Sequence, residues 1–319
     1  MGKASRTKQD VDRRARIAAQ REAQRRADQR KRIYIAGGSI LVVAIIAIAL
    51  VLVKLNTNST PSAANGPTGT ALTAVTKQVE TVPATVTDKV AGGGVNTGIF
   101  VAAKTSSAIS SASTNLGSYF ATVGGTALTS GGKPEVLYLG GEYCPYCAAE
   151  RWAMINALSR FGTFSGLTTT HSSSTDAYPN TPTWTFYKST YTSKYLTFTP
   201  VEEYTNTPNG SGGYTTLQTP TAAQAALGAK YDPTGSIPFI DLGNKYVEVG
   251  NLTPLSPSLL AGLSWATVAA DMNNPSSAVG QAIIGNANYL TAAICELTGN
   301  QPSSACTPAI QKLEASLAK

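Results

Sequence analysis

At 319 residues the chain is too long for one average domain and short for three, with a globular 42% of hydrophobic residues and a low 13% of charged ones. The formal charge of +7 sits at one end: residues 1–32 hold twelve Lys or Arg against four Asp or Glu, leaving thirteen basic and fourteen acidic residues elsewhere. A nearly neutral body with one His excludes a broad nucleic-acid footprint, which needs a basic face on the folded domain, so no nucleic-acid partner is expected.

Residues 33–53 form a run of 21 residues without a charge. As a helix the run spans roughly 31 Å, the thickness of a bilayer core. A signal peptide has a shorter apolar region behind a shorter basic start, so the run reads as a membrane anchor, with cleavage in the small residues of 59–64 as the alternative. Arg30, Lys31 and Arg32 abut one end and Lys54 stands alone beyond the other. The positive-inside rule therefore places residues 1–32 in the cytoplasm and the remainder outside it. The basic tail is expected to touch anionic lipid, with a specific ligand as the sharper alternative.

Residues 54–70 have linker composition, and a short helix is expected near 72–80, interrupted at Pro83 and ended by Gly92, Gly93 and Gly94. From about residue 99 to the C-terminus the pattern is that of one α/β domain, with 54–98 as a linker and pre-domain segment. The apolar run Glu135, Val136, Leu137, Tyr138, Leu139 reads as a buried strand. Gly140 to Tyr143 make a turn, and Cys144-Pro145-Tyr146-Cys147 follows. Ala148, Trp152, Ile155, Leu158 and Ser159 then recur at helical spacing, with Gly162 as the stop. The motif thus lies where a strand ends and a helix begins, with Pro145 at a tolerated first-turn position.

Residues 167–171 read as the next strand. Residues 172–235 read as a β- and loop-rich insertion with strands near 183–187 and 195–201 and, towards its end, a helix over 220–230. The runs 237–242 and 245–249 around Gly243-Asn244 predict a β-hairpin. Residues 257–273 and 276–297 are Ala-rich and predict helices.

A Cys at a helix N-terminus faces unpaired N–H groups and the positive end of the dipole, both of which favour the thiolate. Cys144 is therefore the expected nucleophile in disulfide exchange, and Cys147, one turn later, resolves the mixed disulfide. Pro145 and Tyr146 tune the potential. The alternatives are an inert structural disulfide or a metal site, for which His171 is the other soft ligand available. Cys295 and Cys306 are expected to form a structural disulfide, or else a second redox pair. His171 is expected as a hydrogen-bonded or surface residue, or as a relay. Glu142 and Glu150 read as solvated carboxylates or as proton acceptors for Cys147. Tyr187, Tyr191, Tyr195 and Tyr204 read as packing residues or as the lining of a peptide groove.

The strand–CxxC–helix unit followed by Ile237-Pro238 resembles the thioredoxin superfamily over roughly residues 130–250. That resemblance implies a thioredoxin-like fold, and for Ile237 and Pro238 a role beside the active cysteines, presenting backbone to an extended substrate. The layout of basic tail, anchor and oxidoreductase-like domain is similar to membrane-tethered DsbA-type proteins of actinobacteria. The wording EYCPYCAAERWAMINALSRFG, with HSSSTD and TYTSKYL after it, resembles an actinobacterial and archaeal family of unknown function over nearly all of 85–310. The implied activity is thiol–disulfide exchange on extracytoplasmic protein cysteines. It needs no cofactor beyond the redox-active disulfide and depends on a membrane or soluble redox partner. The rivals are a non-enzymatic thioredoxin-fold binding module and a copper or zinc carrier.

Overall fold

The computed structural model describes residues 66–92, 121–250 and 255–317. The basic tail and the anchor expected at 33–53 lie outside these residues. Among the described residues no helix is long and apolar enough to cross a membrane.

Two helices, α1 (Gly69–Glu80) and α2 (Ala84–Val90), come first, broken at Pro83 as expected. They are not a segment set apart from the domain. Val75, Val79 and Val90 are buried in the main core, so their apolar faces are part of the domain. The composition of 54–70 hid this, because the apolar positions of α1 are few and widely spaced.

The central sheet is built on β3 (Lys133–Gly140), whose C-terminal half is buried on both faces. On one side β3 pairs in parallel with β8 (Thr197–Glu202), and on the other antiparallel with β11 (Phe239–Leu242). Beyond β11 come β12 (Tyr246–Val249) and the short β1 (Ala121–Thr122), both antiparallel, and β2 (Thr129–Ser130) pairs with the start of β3. The hairpin falls where Gly243-Asn244 predicted it. These two residues have φ of 66° and 56°, the left-handed values that such a tight turn requires.

Placing β8 in this sheet corrects the expected insertion at 172–235. Residues 197–202 are a strand of the sheet itself, and the excursions are two. One holds β4 (Gly162–Ser165), β5 (Thr168–His171), β6 (Pro182–Thr185) and β7 (Thr190–Ser193), paired as β4 with β7 and β5 with β6. The other is the two-stranded ribbon of β9 (Tyr204–Pro208) and β10 (Tyr214–Thr216). Gly162, expected as a helix stop, opens β4.

Between β3 and β4 runs α3 (Pro145–Ser159), in which only Tyr146 and Ser159 are not buried. A helix enclosed on all sides must be apolar nearly all round, and this one is, apart from Glu150, Arg151 and Asn156. After β10, α4 (Ala222–Tyr231) starts at a capping box of Thr221 and Gln224. Next come a 3₁₀ turn (Pro257–Leu260), α5 (Trp265–Met272), α6 (Ala278–Leu297) and α7 (Pro308–Leu317).

The sheet register sorts its side chains onto two faces. Val136, Tyr138, Ile240, Leu242 and Tyr246 face a large core shared with α3, α5 and α6. Leu137, Leu139, Val201, Phe239 and Val247 face a smaller one closed by Leu227 and Tyr231 of α4. The protein is therefore a mixed α/β fold with helices on both faces of one sheet.

Candidate active site

The strand β3 ends at Gly140 and the helix α3 begins at Pro145, so the four-residue turn between them carries Cys144 to the helix N-cap. Pro145 occupies the first helical position, where its missing N–H costs no hydrogen bond. The turn is held by backbone bonds from the excursions: Glu142 N–H donates to Tyr204 O (2.9 Å), Glu203 N–H to Gly140 O (2.7 Å), and Ser173 N–H to Tyr143 O (2.8 Å).

Cys144 and Cys147 are free thiols, 6% and 0% exposed. Cys144 Sγ accepts the Cys147 N–H at 3.4 Å, and its own S–H is directed at Ile237 O, 3.6 Å away. The Cys147 thiol also donates to Cys144 Sγ. That bond, with the N–H groups of Cys147 and Tyr146 and the charge of Arg151, holds the Cys144 thiol below its ordinary pKa against the opposing effect of burial. Burial drives the Cys147 thiol well above its ordinary value, and the neighbouring Cys144 sulfur adds to the rise. The two sulfurs are thus pushed in opposite directions: the surroundings of Cys144 favour its thiolate, and those of Cys147 favour its thiol.

Ile237 and Pro238 stand beside Cys144, joined by a cis peptide bond. Ile237 also borders a cleft of about 230 Å³ against α4, with Leu139, Gly228 and Phe239 in its wall. Around the cysteines the rim is aromatic. Tyr143 stacks on Tyr214 (centroids 4.0 Å apart) and meets Tyr204 edge-on at 6.0 Å, while Tyr146 meets Tyr178 edge-on at 6.0 Å.

Of the four tyrosines read as packing residues or a groove lining, Tyr204 alone joins this rim. Tyr191 donates to Leu158 O (2.8 Å) and packs on Phe164, Tyr195 packs against the core, and Tyr187 lies beside Lys188. His171 Nδ1–H donates to Ser172 O at 2.8 Å, a local bond at the end of β5. Cys295 and Cys306 are joined as a disulfide with Cα atoms 5.7 Å apart.

Glu150 is not a solvated carboxylate. It is fully buried, accepts from Asn286 Nδ2 at 2.6 Å, and confronts Glu248, whose pKa burial and Glu150 together push well up. Neither Glu150 nor Glu142 is among the groups that chiefly set the Cys147 thiol. Glu142 is partly buried, and burial raises its pKa despite a hydrogen bond to Thr185.

The groups near the Cys147 sulfur escaped sequence reasoning. They are Tyr138 of β3 and Arg151 of α3, together with Glu202 of β8, which pairs with Arg151; all three are fully buried. Arg151 Nε and Nη2 donate to Glu202 at 2.9 and 2.6 Å, and Nη2 also donates to Gly141 O at 2.9 Å. An Arg four residues after a CxxC cysteine, on an otherwise apolar helix, was the available signal. Among the described residues no group of three or more His, Cys, Asp and Glu is arranged to hold a metal ion.

Residues 119–217 match the model of a family described as a domain of unknown function, DUF929. The match takes in Cys144, Cys147, Arg151 and Glu202 and ends before Ile237 and Pro238, and it agrees with the resemblance to a family of unknown function. No curated protein and no solved structure matches the chain.

Proposed function

We propose that the chain is a membrane-anchored thiol–disulfide oxidoreductase acting on protein cysteines outside the cytoplasm. The observation that carries this reading is the asymmetry of the two sulfurs. Cys144 caps a helix, has its thiol pKa lowered and retains 6% exposure, whereas Cys147 is fully enclosed one turn on and has its pKa raised. That is the division of labour exchange needs: the sulfur with the lowered pKa forms the mixed disulfide, and the more protected thiol resolves it.

A thioredoxin-like reading of the fold is supported by the strand order β8–β3–β11–β12, with a parallel β3–α3–β8 unit and an antiparallel hairpin beside it. Ile237 and Pro238 are the residues proposed to align an extended substrate, because the Ile237 carbonyl already faces Cys144 Sγ. The basic tail and the apolar run of 33–53 are the grounds for a single-pass anchor with the catalytic body outside. The Cys295–Cys306 disulfide suits such an oxidising compartment.

The test is the redox equilibrium of the Cys144/Cys147 pair against glutathione, read by thiol trapping. A potential in the range of exchange enzymes, with Cys144 alone alkylated at mildly acidic pH, is the expected result. A bond that resists glutathione below about −300 mV marks an inert structural disulfide and overturns the reading.

A further inference from the structure

Directly beneath the sulfurs the protein holds polar atoms that its hydrogen bonds leave unused. The Tyr138 hydroxyl is buried, interacts with the Cys147 thiol, and has no hydrogen-bond partner. Arg151 Nη1 is also buried without a partner, while its guanidinium carbon lies 5.8 Å from the centre of the Tyr138 ring. Unpaired buried donors are costly, and two together beside one sulfur are hard to explain by packing alone.

The backbone is arranged to admit them. Tyr138 and Gly140 lie on the same face of β3, and Gly140 is the register partner of Glu202 across the parallel pair. A Cβ at Gly140 would stand 2.1 Å from the Tyr138 hydroxyl, so the bare glycine provides the space into which that hydroxyl turns. Glu202 accepts two bonds from Arg151 and a third from Phe186 N–H at 3.2 Å, which fixes the guanidinium over the same space.

We propose that Tyr138 and Arg151 receive the negative charge of Cys147 during exchange: the hydroxyl donates a hydrogen bond to the Cys147 sulfur, and the guanidinium, positioned by Glu202, offsets its charge. This rests on the oxidoreductase reading and names the groups that make its second step run. Burial and the Cys144 sulfur make the Cys147 thiolate scarce, and Arg151, with a backbone hydrogen bond from Gly141, favours it.

When the reduced protein acts on a disulfide, Cys147 sulfur attacks Cys144 Sγ of the mixed disulfide. The Cys144–Cys147 bond forms, the bond from Cys144 to the substrate sulfur breaks, and the Cys147 proton ends on the departing thiolate. The substrate disulfide gains the two electrons that the dithiol loses. In the oxidising direction a substrate thiolate attacks Cys144 and Cys147 leaves as the thiolate, so the same two groups serve both directions. Tyr138 touches the reacting sulfur and is a catalytic residue in this scheme; Arg151 and Glu202 are positioning residues.

The experiment uses the reduced full chain in mild detergent with glutathione disulfide as the probe. Acid-quenched samples are followed by mass for the glutathione adduct on Cys144 and for its conversion to the Cys144–Cys147 disulfide. Tyr138→Phe is expected to slow conversion roughly ten- to a hundredfold relative to adduct formation, the range of one charge-assisted hydrogen bond. The adduct then accumulates, and the pH midpoint of conversion moves upward. Gly140→Ala keeps the tyrosine but fills its space, and is expected to slow conversion in the same sense. An unchanged ratio of the two rates with an unchanged pH midpoint in Tyr138→Phe overturns the inference, as does an equal slowing of both steps, which a merely structural role produces. If the unaltered protein forms no adduct at all, the oxidoreductase reading falls and takes the inference with it.

Discussion

Glu202→Gln removes one negative charge from a place where Arg151 has almost nowhere else to turn. Both side chains are fully enclosed, and the guanidinium has one remaining partner, the Gly141 carbonyl. The substitution abolishes the ion pair and turns one of its two short contacts into opposed donors. Removing one partner from a buried pair typically costs about 3–5 kcal/mol, because the surviving charge stays buried without compensation. Against a total stability of roughly 5–15 kcal/mol, that loss multiplies the unfolded fraction on the order of a hundred- to several-thousandfold and brings the protein near its limit. The assay is urea unfolding of the full chain followed by near-ultraviolet circular dichroism, which reports the packed Trp152–Trp184 pair. The double variant Arg151→Met with Glu202→Leu removes both charges and fills similar volume, and it is expected to recover most of the loss. It should nevertheless remain slow in disulfide closure, which separates the pair's role in folding from its role at Cys147. A cost below about 1 kcal/mol for Glu202→Gln refutes the reasoning, since that is the scale of a solvated ion pair.

Two further outcomes follow from groups away from the cysteines. Burial raises the Asp241 carboxyl from 3.8 to about 6, so the folded state binds this proton more tightly than the unfolded chain does. The stability it permits is complete below about pH 4 and is lost as the pH rises through 6, about 3 kcal/mol in all. Asp241→Asn is expected to flatten that slope and to stabilise the protein at pH 8; a pH profile of unfolding identical to that of the unaltered chain contradicts this. Replacing Cys295 and Cys306 by Ser releases a loop closed across a sequence separation of 11, which by chain entropy costs roughly 3 kcal/mol. Thermal unfolding measures it, and because the bond lies apart from Cys144, the glutathione equilibrium of the active pair should not move.

Much of this fold was legible because short-range chemistry and long-range packing agree. The apolar run at 135–139, the Gly-Asn turn and the helix after Pro145 each announce themselves locally, and each is where the pattern put it. Residues 197–202 misled for the opposite reason. The segment reads as a strand, but Thr197, Thr199 and Pro200 give it no central-sheet signature, and only pairing with β3 places it in the central sheet and not in an insertion. The helix α7 escaped although Ile310, Leu313 and Leu317 recur at helical spacing, because its composition lacks the Ala-rich signal that marked α6. At the site, Cys144 and Cys147 are named by their spacing, whereas Tyr138, Arg151 and Glu202 are brought together from a strand, a helix and a second strand. Nothing in the linear order links them. Glu150 was misjudged because a carboxylate on a helix is normally solvated, and Asn286 and Glu248, which enclose it, are over ninety residues away.

The bonds that fasten the turn before Cys144 run from backbone to backbone, through Ser173, Glu203 and Tyr204. A main-chain clamp is indifferent to which side chains its donors carry. The outward residues of both excursions can therefore drift over generations while the cysteines keep their geometry, so that under the proposed function target choice and exchange chemistry would be inherited as separable traits.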